Sequence, residues 1–200
     1  YFWEFKSIML ASYLGIYVLS TLSAFLIVPR LVRVIEKRTI LLIAISFAAL
    51  IPPIPIILFI NDFLPDTGTW HLFYVTVPFV YIANTCLSSS AIIRESMLGD
   101  ISDEVELESG IGQQGLMFAS SSLIGKLNTG LGILMAGITL EFINFPQGTN
   151  VDPTVENIFN LAMVQGPLVA ILMIIPFGIF SLYKIDRYRH QEILAKLGPQ

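Results

Sequence analysis

Lys126 is the residue whose type and position carry the most chemistry. It lies about eleven residues past Gly115 in an apolar run that reaches Phe142, which is roughly 16 Å along a helix and far for one side chain to snorkel back to water. A charge at that depth costs from about 2.5 to more than 10 kcal/mol against lipid, so the ammonium is expected to face protein or water. Helical spacing puts Ala119, Ser122, Lys126 and Thr129 on one face, a small and polar stripe suited to lining a cavity. Lys126, Ser122 and Thr129 are the candidate substrate-binding residues, since an ammonium and two hydroxyls can hydrogen-bond a polar solute or attract an anionic group. An ion pair with no role in transport is the other reading of the same lysine.

Two further groups have chemical potential. Glu95, Asp100, Asp103, Glu104, Glu106 and Glu108 crowd one polar segment against a single base, Arg94. Such a run is ordinarily a solvated face. The alternative is that Asp100 and Asp103, at the membrane edge, pair with basic residues at other helix ends and act as gating residues that latch one side shut. Asn84, Thr85, Cys86, Ser88, Ser89 and Ser90 form a polar patch within another apolar run; they either bond across helices or meet a solute.

Other patterns are declined. Gly110, Gly112 and Gly115 match the dinucleotide fingerprint in their letters, but no strand precedes them and no βαβ unit surrounds them. Gly99 with Asp100 is a fragment of an intramembrane protease motif, without a second aspartate in any span. There is no metal-ligand spacing, nucleophile elbow or phosphate loop, so no catalytic residue, metal or cofactor is expected and the chain does not read as an enzyme. Cys86 is the single cysteine and can form no intrachain disulfide.

The elements that must position these residues are membrane helices. Of the 200 residues 54% are hydrophobic and 13% charged, an apolar excess that one small core cannot hide. Apolar runs long enough to cross about 30 Å of hydrocarbon recur. The expected class is an all-α polytopic membrane protein with about five spans: 7–28, 40–60, 71–93, 115–142 and 161–183. Pro52, Pro53 and Pro55 should kink or break the second span, and Pro167 and Pro176 lie inside the fifth. Loops are expected at 29–39 and 94–114, with a polar stretch at 143–160 and a tail at 184–200.

Orientation follows from Lys and Arg. Nine of the 11 basic residues lie on one side (Arg30, Arg33, Lys37, Arg38, Arg94, Lys184, Arg187, Arg189 and Lys196), Lys6 lies on the other, and Lys126 is within the membrane. The basic side is expected to be cytoplasmic, which places the amino end outside and the tail inside. Aromatic residues near both boundaries, Trp3, Trp70, Phe73 and Tyr74 on one side and Tyr183 and Tyr188 on the other, suit interfacial belts. Nothing is basic enough for nucleic acid. The chain begins at Tyr1 with no basic n-region, so no signal peptide is expected and the chain reads as a fragment.

The stretch from Ser96 to Gly110 (SMLGDISDEVELESG), with Gly115 to Ala119 (GLMFA) and Leu123 to Gly132 (LIGKLNTGLG), resembles the glycoside-pentoside-hexuronide:cation symporters, the melibiose permease-like family of the major facilitator superfamily. The resemblance implies spans eight to twelve of twelve, that is, part of the carboxyl-terminal six-helix bundle of a carrier working by alternating access. It further implies symport of a sugar or glycoside with Na+ or H+ as coupling cation, with the cation site mainly in amino-terminal helices absent here. It places Lys126 at or near the substrate cavity and matches Asp100 and Asp103 to the family's loop aspartates. Expected partners are the lipid bilayer, a small polar solute, the coupling cation and those missing helices, and the expected location is the plasma (inner) membrane. Two departures, Ile111-Gly112-Gln113-Gln114 where relatives carry bases and Arg94-Glu95 where they carry Pro-Trp, keep a lysophospholipid or other organic solute as an alternative cargo. A non-transporting membrane scaffold is the alternative outside transport.

Overall fold

The computed structural model describes residues 2–146 and 153–183, and among them every regular element is helical. In chain order these are α1 (Ser7–Leu31), α2 (Lys37–Leu50), α3 (Pro53–Ile60), α4 (Trp70–Ser109), α5 (Gln114–Phe142) and α6 (Val155–Met163). A π-helical turn at Val164–Leu168 then leads to α7 (Val169–Leu172) and α8 (Ile174–Ser181). Taking α2 with α3 and α6 through α8 as single interrupted rods, five helices are long and apolar enough to cross a membrane. The expected tail 184–200 and part of the stretch 143–160 fall outside the described residues, as do Lys184, Arg187, Arg189, Lys196 and Tyr188.

Lipid offers no hydrogen-bond partner, so each backbone group must be satisfied within its helix. The hydroxyls of α1 follow the same rule: Ser12, Ser20, Thr21 and Ser23 donate to the carbonyls of Ile8, Ile16, Tyr17 and Leu19 at 2.8–3.0 Å. Long aliphatic side chains such as Ile8, Leu14 and Val18 remain exposed, as suits surfaces turned to acyl chains.

Two spans differ from their sequence-based bounds. Helix α4 does not stop at Ile93 but runs 40 residues to Ser109, about 60 Å and far more than the hydrocarbon thickness. Arg94 to Ser109 is helix and not loop because its composition favours helix and because Ile93, Met97 and Asp100, spaced four and three apart, are buried. Gly110, at φ +70° in the left-handed region that suits glycine, ends the helix by donating its N–H to the Glu106 carbonyl at 2.8 Å. The last span begins at Val155, six residues before the apolar run. Its start is capped by Thr154, and the Asn157 amide donates to the carbonyls of Ile143 and Asn144 at 3.1 and 2.9 Å, tying it to the end of α5.

Helix α4 is the centre of the assembly, with α1 on one flank and α2 on another. The packed core lies toward one end, where Val28, Ile40, Leu41, Ile45, Ile93 and Met97 meet Phe180 and Tyr183. At the opposite end, Trp3 contacts Phe59 edge-on and Trp70 contacts Phe73. There the Gly68 N–H donates to the Trp3 carbonyl at 2.9 Å and the Thr67 hydroxyl to Glu4 at 2.8 Å. These two ends are called the Lys37 end and the Trp70 end below. Helix α5 stands apart, touching α4 and burying none of its residues.

Candidate functional site

The polar patch of the third span is largely packing. Asn84 donates to Ser20 at 2.6 Å and to the Tyr17 carbonyl at 3.3 Å, and Ser88 shares a hydrogen bond with Thr21 at 3.2 Å, all between α4 and α1. The Ser23 and Tyr81 hydroxyls meet at 2.6 Å, and those of Tyr13 and Thr76 pair near the Trp70 end. Thr85, Ser89 and Ser90 bond back to carbonyls of their own helix. Interhelical bonds of this kind contribute about 0.6 kcal/mol each on average in a membrane; their number, more than their individual strength, fixes the register of α1 on α4.

The acidic segment is divided by the structure. Asp100 is 6% exposed, and its two carboxylate oxygens accept from one ammonium, Lys37 Nζ, at 2.7 and 2.8 Å. Lys37 is the first residue of α2, so the pair joins the ends of two spans. The Tyr183 hydroxyl adds a longer contact of 3.4 Å to the same carboxylate. Tyr183 lies just past α8, and burial, then the charge of Asp100, pushes its phenol pKa up, which keeps it protonated as a donor. Arg38 donates to the Ser181 carbonyl beside it. Asp103 is directed elsewhere: it is half-buried and accepts from the Gln114 amide at 3.2 Å, across the turn to α5. Thus Asp100 meets a base at a helix end, whereas Asp103 meets a neutral amide. Arg94 and Glu95 form an exposed 3.7 Å pair, of a kind worth little to stability.

The sequence names Lys37 only as one of the orienting bases and Tyr183 only as an interfacial aromatic, and assigns neither to Asp100, although a signal exists. A base opening one span and an acid closing another on the same membrane side is the arrangement that permits such a pair.

Lys126 lies twelve residues into the 29-residue α5, roughly 18 Å along it. In the first half of this helix the residues half-covered by neighbours are Met117 and Ser121, and at 100° per residue Lys126 points about 140–180° away from them; Thr139 and Leu140 are half-covered near its end, three to four turns beyond the lysine. Ser122, Lys126 and Thr129 are all exposed, and the Thr129 hydroxyl donates to the Gly125 carbonyl at 3.0 Å. The described helices therefore bring these three together on one open face and set no wall opposite them. A groove of about 370 Å³, lined by Phe142, Ile143, Asn160, Met163, Val164 and Leu168, lies at the far end of α5. It is apolar and remote from the lysine. No cluster of His, Cys, Asp or Glu among the described residues can hold a metal ion.

The arrangement is a set of membrane helices with one tied end and one unaccompanied helix carrying a charge at mid-depth. No curated protein and no solved structure gives a significant match. A family model described as MFS/sugar transport protein matches residues 1–187, almost the whole chain. The helices, their number and this match agree, and the chain is an integral membrane protein belonging to the MFS/sugar transport protein family of the major facilitator superfamily.

Proposed function

We propose that the protein is a secondary active transporter which carries a sugar or glycoside with Na+ or H+ by alternating access. The observation that carries this reading is Lys126, an ammonium at mid-depth on an open polar stripe of α5 with Ser122 and Thr129. Such a stripe needs an aqueous or protein surface opposite it, and carriers bind cargo near the bilayer midplane. The facing wall, with most of the coupling-cation site, is assigned to amino-terminal helices of the same protein. In this reading Lys126 and Ser122 hydrogen-bond the solute, and Thr129 adds an acceptor. The Lys37 end is cytoplasmic at the plasma membrane and the Trp70 end is outside, in keeping with the basic residues at the former and the exposed Trp70 and Tyr74 at the latter. Asp100 and Asp103 hold the cytoplasmic side closed.

A second cargo is favoured by one feature: exposed Leu123 and Leu127 flank Lys126 on the helix, so an ammonium next to apolar surface also suits the phosphate of a lysophospholipid. The test is uptake against surface expression in the complete protein for Lys126→Met and Lys126→Arg. Met keeps the stem and removes donors and charge, so transport is expected to collapse at normal expression, while Arg rescues in part because a planar fork differs from a compact ammonium. Wild-type uptake by the Met variant sinks the assignment. Competition of uptake by free sugars or by lysophospholipid separates the two cargoes, and absence of uptake of either class leaves the scaffold reading standing.

A further inference from the structure

Helices α2 and α3 form one span broken at Pro52, Pro53 and Pro55, and the last span is broken by the π turn that contains Gly166 and Pro167. These two breaks are in contact. Gly166 is buried, and a Cβ on it would stand 2.9 Å from Ile56 Cδ1 and 3.6 Å from Pro53 Cα. Pro53, Pro55 and Ile56 are themselves buried, as is Ala162, one turn before Gly166. A Cβ there would meet the Pro53 backbone at an ordinary contact distance but would force the end of the Ile56 side chain to move.

Both spans are weakest to bending at this shared level. Pro52 and Pro53 supply no N–H to the carbonyls four residues before them, Ala48 and Ala49, and Pro167 supplies none to Met163. Sharp bends occur at such prolines and at π turns. Toward the Lys37 end both spans are held. Ile40, Leu41 and Ile45 of α2 pack with Phe180 and Tyr183, Lys37 binds Asp100, and Arg38 binds the Ser181 carbonyl. Toward the Trp70 end the ties are fewer: α6 packs mainly on the π turn that follows it and is held to the end of α5 through Asn157, and α3 meets Trp3 through Phe59.

We propose that the two breaks are one hinge, about which α3 and α6 tilt together while α2 and α8 stay fixed to α4. The contact of Gly166 with Pro53 and Ile56 is the bearing, since neither span can bend there without moving the other. The device transmits a movement of one outer segment to the other without any contact between their far ends.

The test uses spin-label distances in the complete protein, in a cysteine-free background and lipid nanodiscs, with Glu95 on α4 as the common reference. One label pair runs to Asn61 at the end of α3, one to Val155 at the start of α6, and a control to Ile43 in α2. Replacing Pro52, Pro53 and Pro55 together by Ala restores backbone donors in one span only; Pro167→Ala does so in the other. Each is expected to shift or narrow both the Asn61 and the Val155 distributions while leaving Ile43 unchanged. If each variant moves only the label on its own span, the breaks are independent and the proposal is overturned. Should the triple variant misfold, Pro167→Ala decides alone. Gly166→Ala is expected to displace both labels, and adding Ile56→Val, which removes Cδ1, is expected to restore them; displacement of Val155 alone counts against the hinge.

Discussion

Asp100→Asn is the perturbation with the most to say about the tied end. Asp100 is 6% exposed, and its partner Lys37 has a side chain 23% exposed. Breaking a buried pair from one side costs about 3–5 kcal/mol. Because the ammonium can swing partly into water, a value just below that range, about 2–3 kcal/mol, is the reasonable expectation. At about 1.4 kcal/mol per tenfold, this corresponds to a shift of roughly 30- to 150-fold in any equilibrium between a state that has the pair and one that lacks it. Lys37→Met alone leaves the buried carboxylate without its base and should be at least as damaging, whereas the double variant Lys37→Met/Asp100→Asn should recover much of the loss, since a buried pair replaced by uncharged groups is often nearly neutral. The assay has two readouts in the complete protein: resistance to unfolding in detergent, and labelling of a cysteine placed in the cytoplasm-facing cavity. If the pair exists only when the cytoplasmic side is closed, labelling rises toward the computed factor and the double variant labels as fast as the single. If stability falls with labelling unchanged, the pair holds α2 to α4 in both states and the gating role is refuted. Additive single losses, with no recovery in the double variant, refute the interaction itself.

Other outcomes follow from the same geometry. A cysteine at Thr67 should react with an impermeant reagent applied to intact cells and one at Glu104 should not; reaction at Glu104 would invert the orientation. Asn84→Leu removes two donors between α4 and α1 and should lower stability to denaturing detergent by about 1–2 kcal/mol, near the upper end for such bonds. An unchanged denaturation midpoint would mean that Asn84 is replaceable by lipid-facing packing.

Much of the architecture was legible in the chain, for identifiable reasons. Apolar length finds spans because lipid forces it, so the existence of all five helices followed from hydropathy and the break at Pro52 and Pro53 from missing donors. Hydropathy locates where a helix leaves the membrane and not where it ends, which is why α4 outruns Ile93 by 16 residues: beyond Ile93 its signal becomes the spacing of Met97 and Asp100. The stripe of Ser122, Lys126 and Thr129 was readable from periodicity, but what faces it was not, since a period gives direction and no neighbour. The partner of Asp100 lies 63 residues away, and nothing local distinguishes Lys37 from Arg33 or Arg38. In the patch around Asn84 the sequence supplied donors without assigning them. Only the placement of Tyr17 and Ser20 opposite Asn84 turns that patch into a seam. The meeting of Gly166 with Pro53 was hidden for the same reason, because two breaks in separate spans carry no mark that they lie at one depth.

The hydroxyls of α1 have a consequence for biogenesis. Their interhelical partners lie on α4, 58 to 67 residues downstream, and are still to be synthesised when α1 leaves the ribosome. During that interval Ser20, Thr21 and Ser23 would face lipid with polar atoms bare, were it not that each already donates to a carbonyl of its own helix. Such back-bonding lets the helix enter the bilayer before α4 does. The oxygen lone pairs stay open, and when α4 arrives its Asn84 amide and the Tyr81 and Ser88 hydroxyls can use them as acceptors without first breaking a bond. Insertion and assembly therefore draw on opposite ends of the same hydroxyl group, and α1 can wait in the membrane for α4.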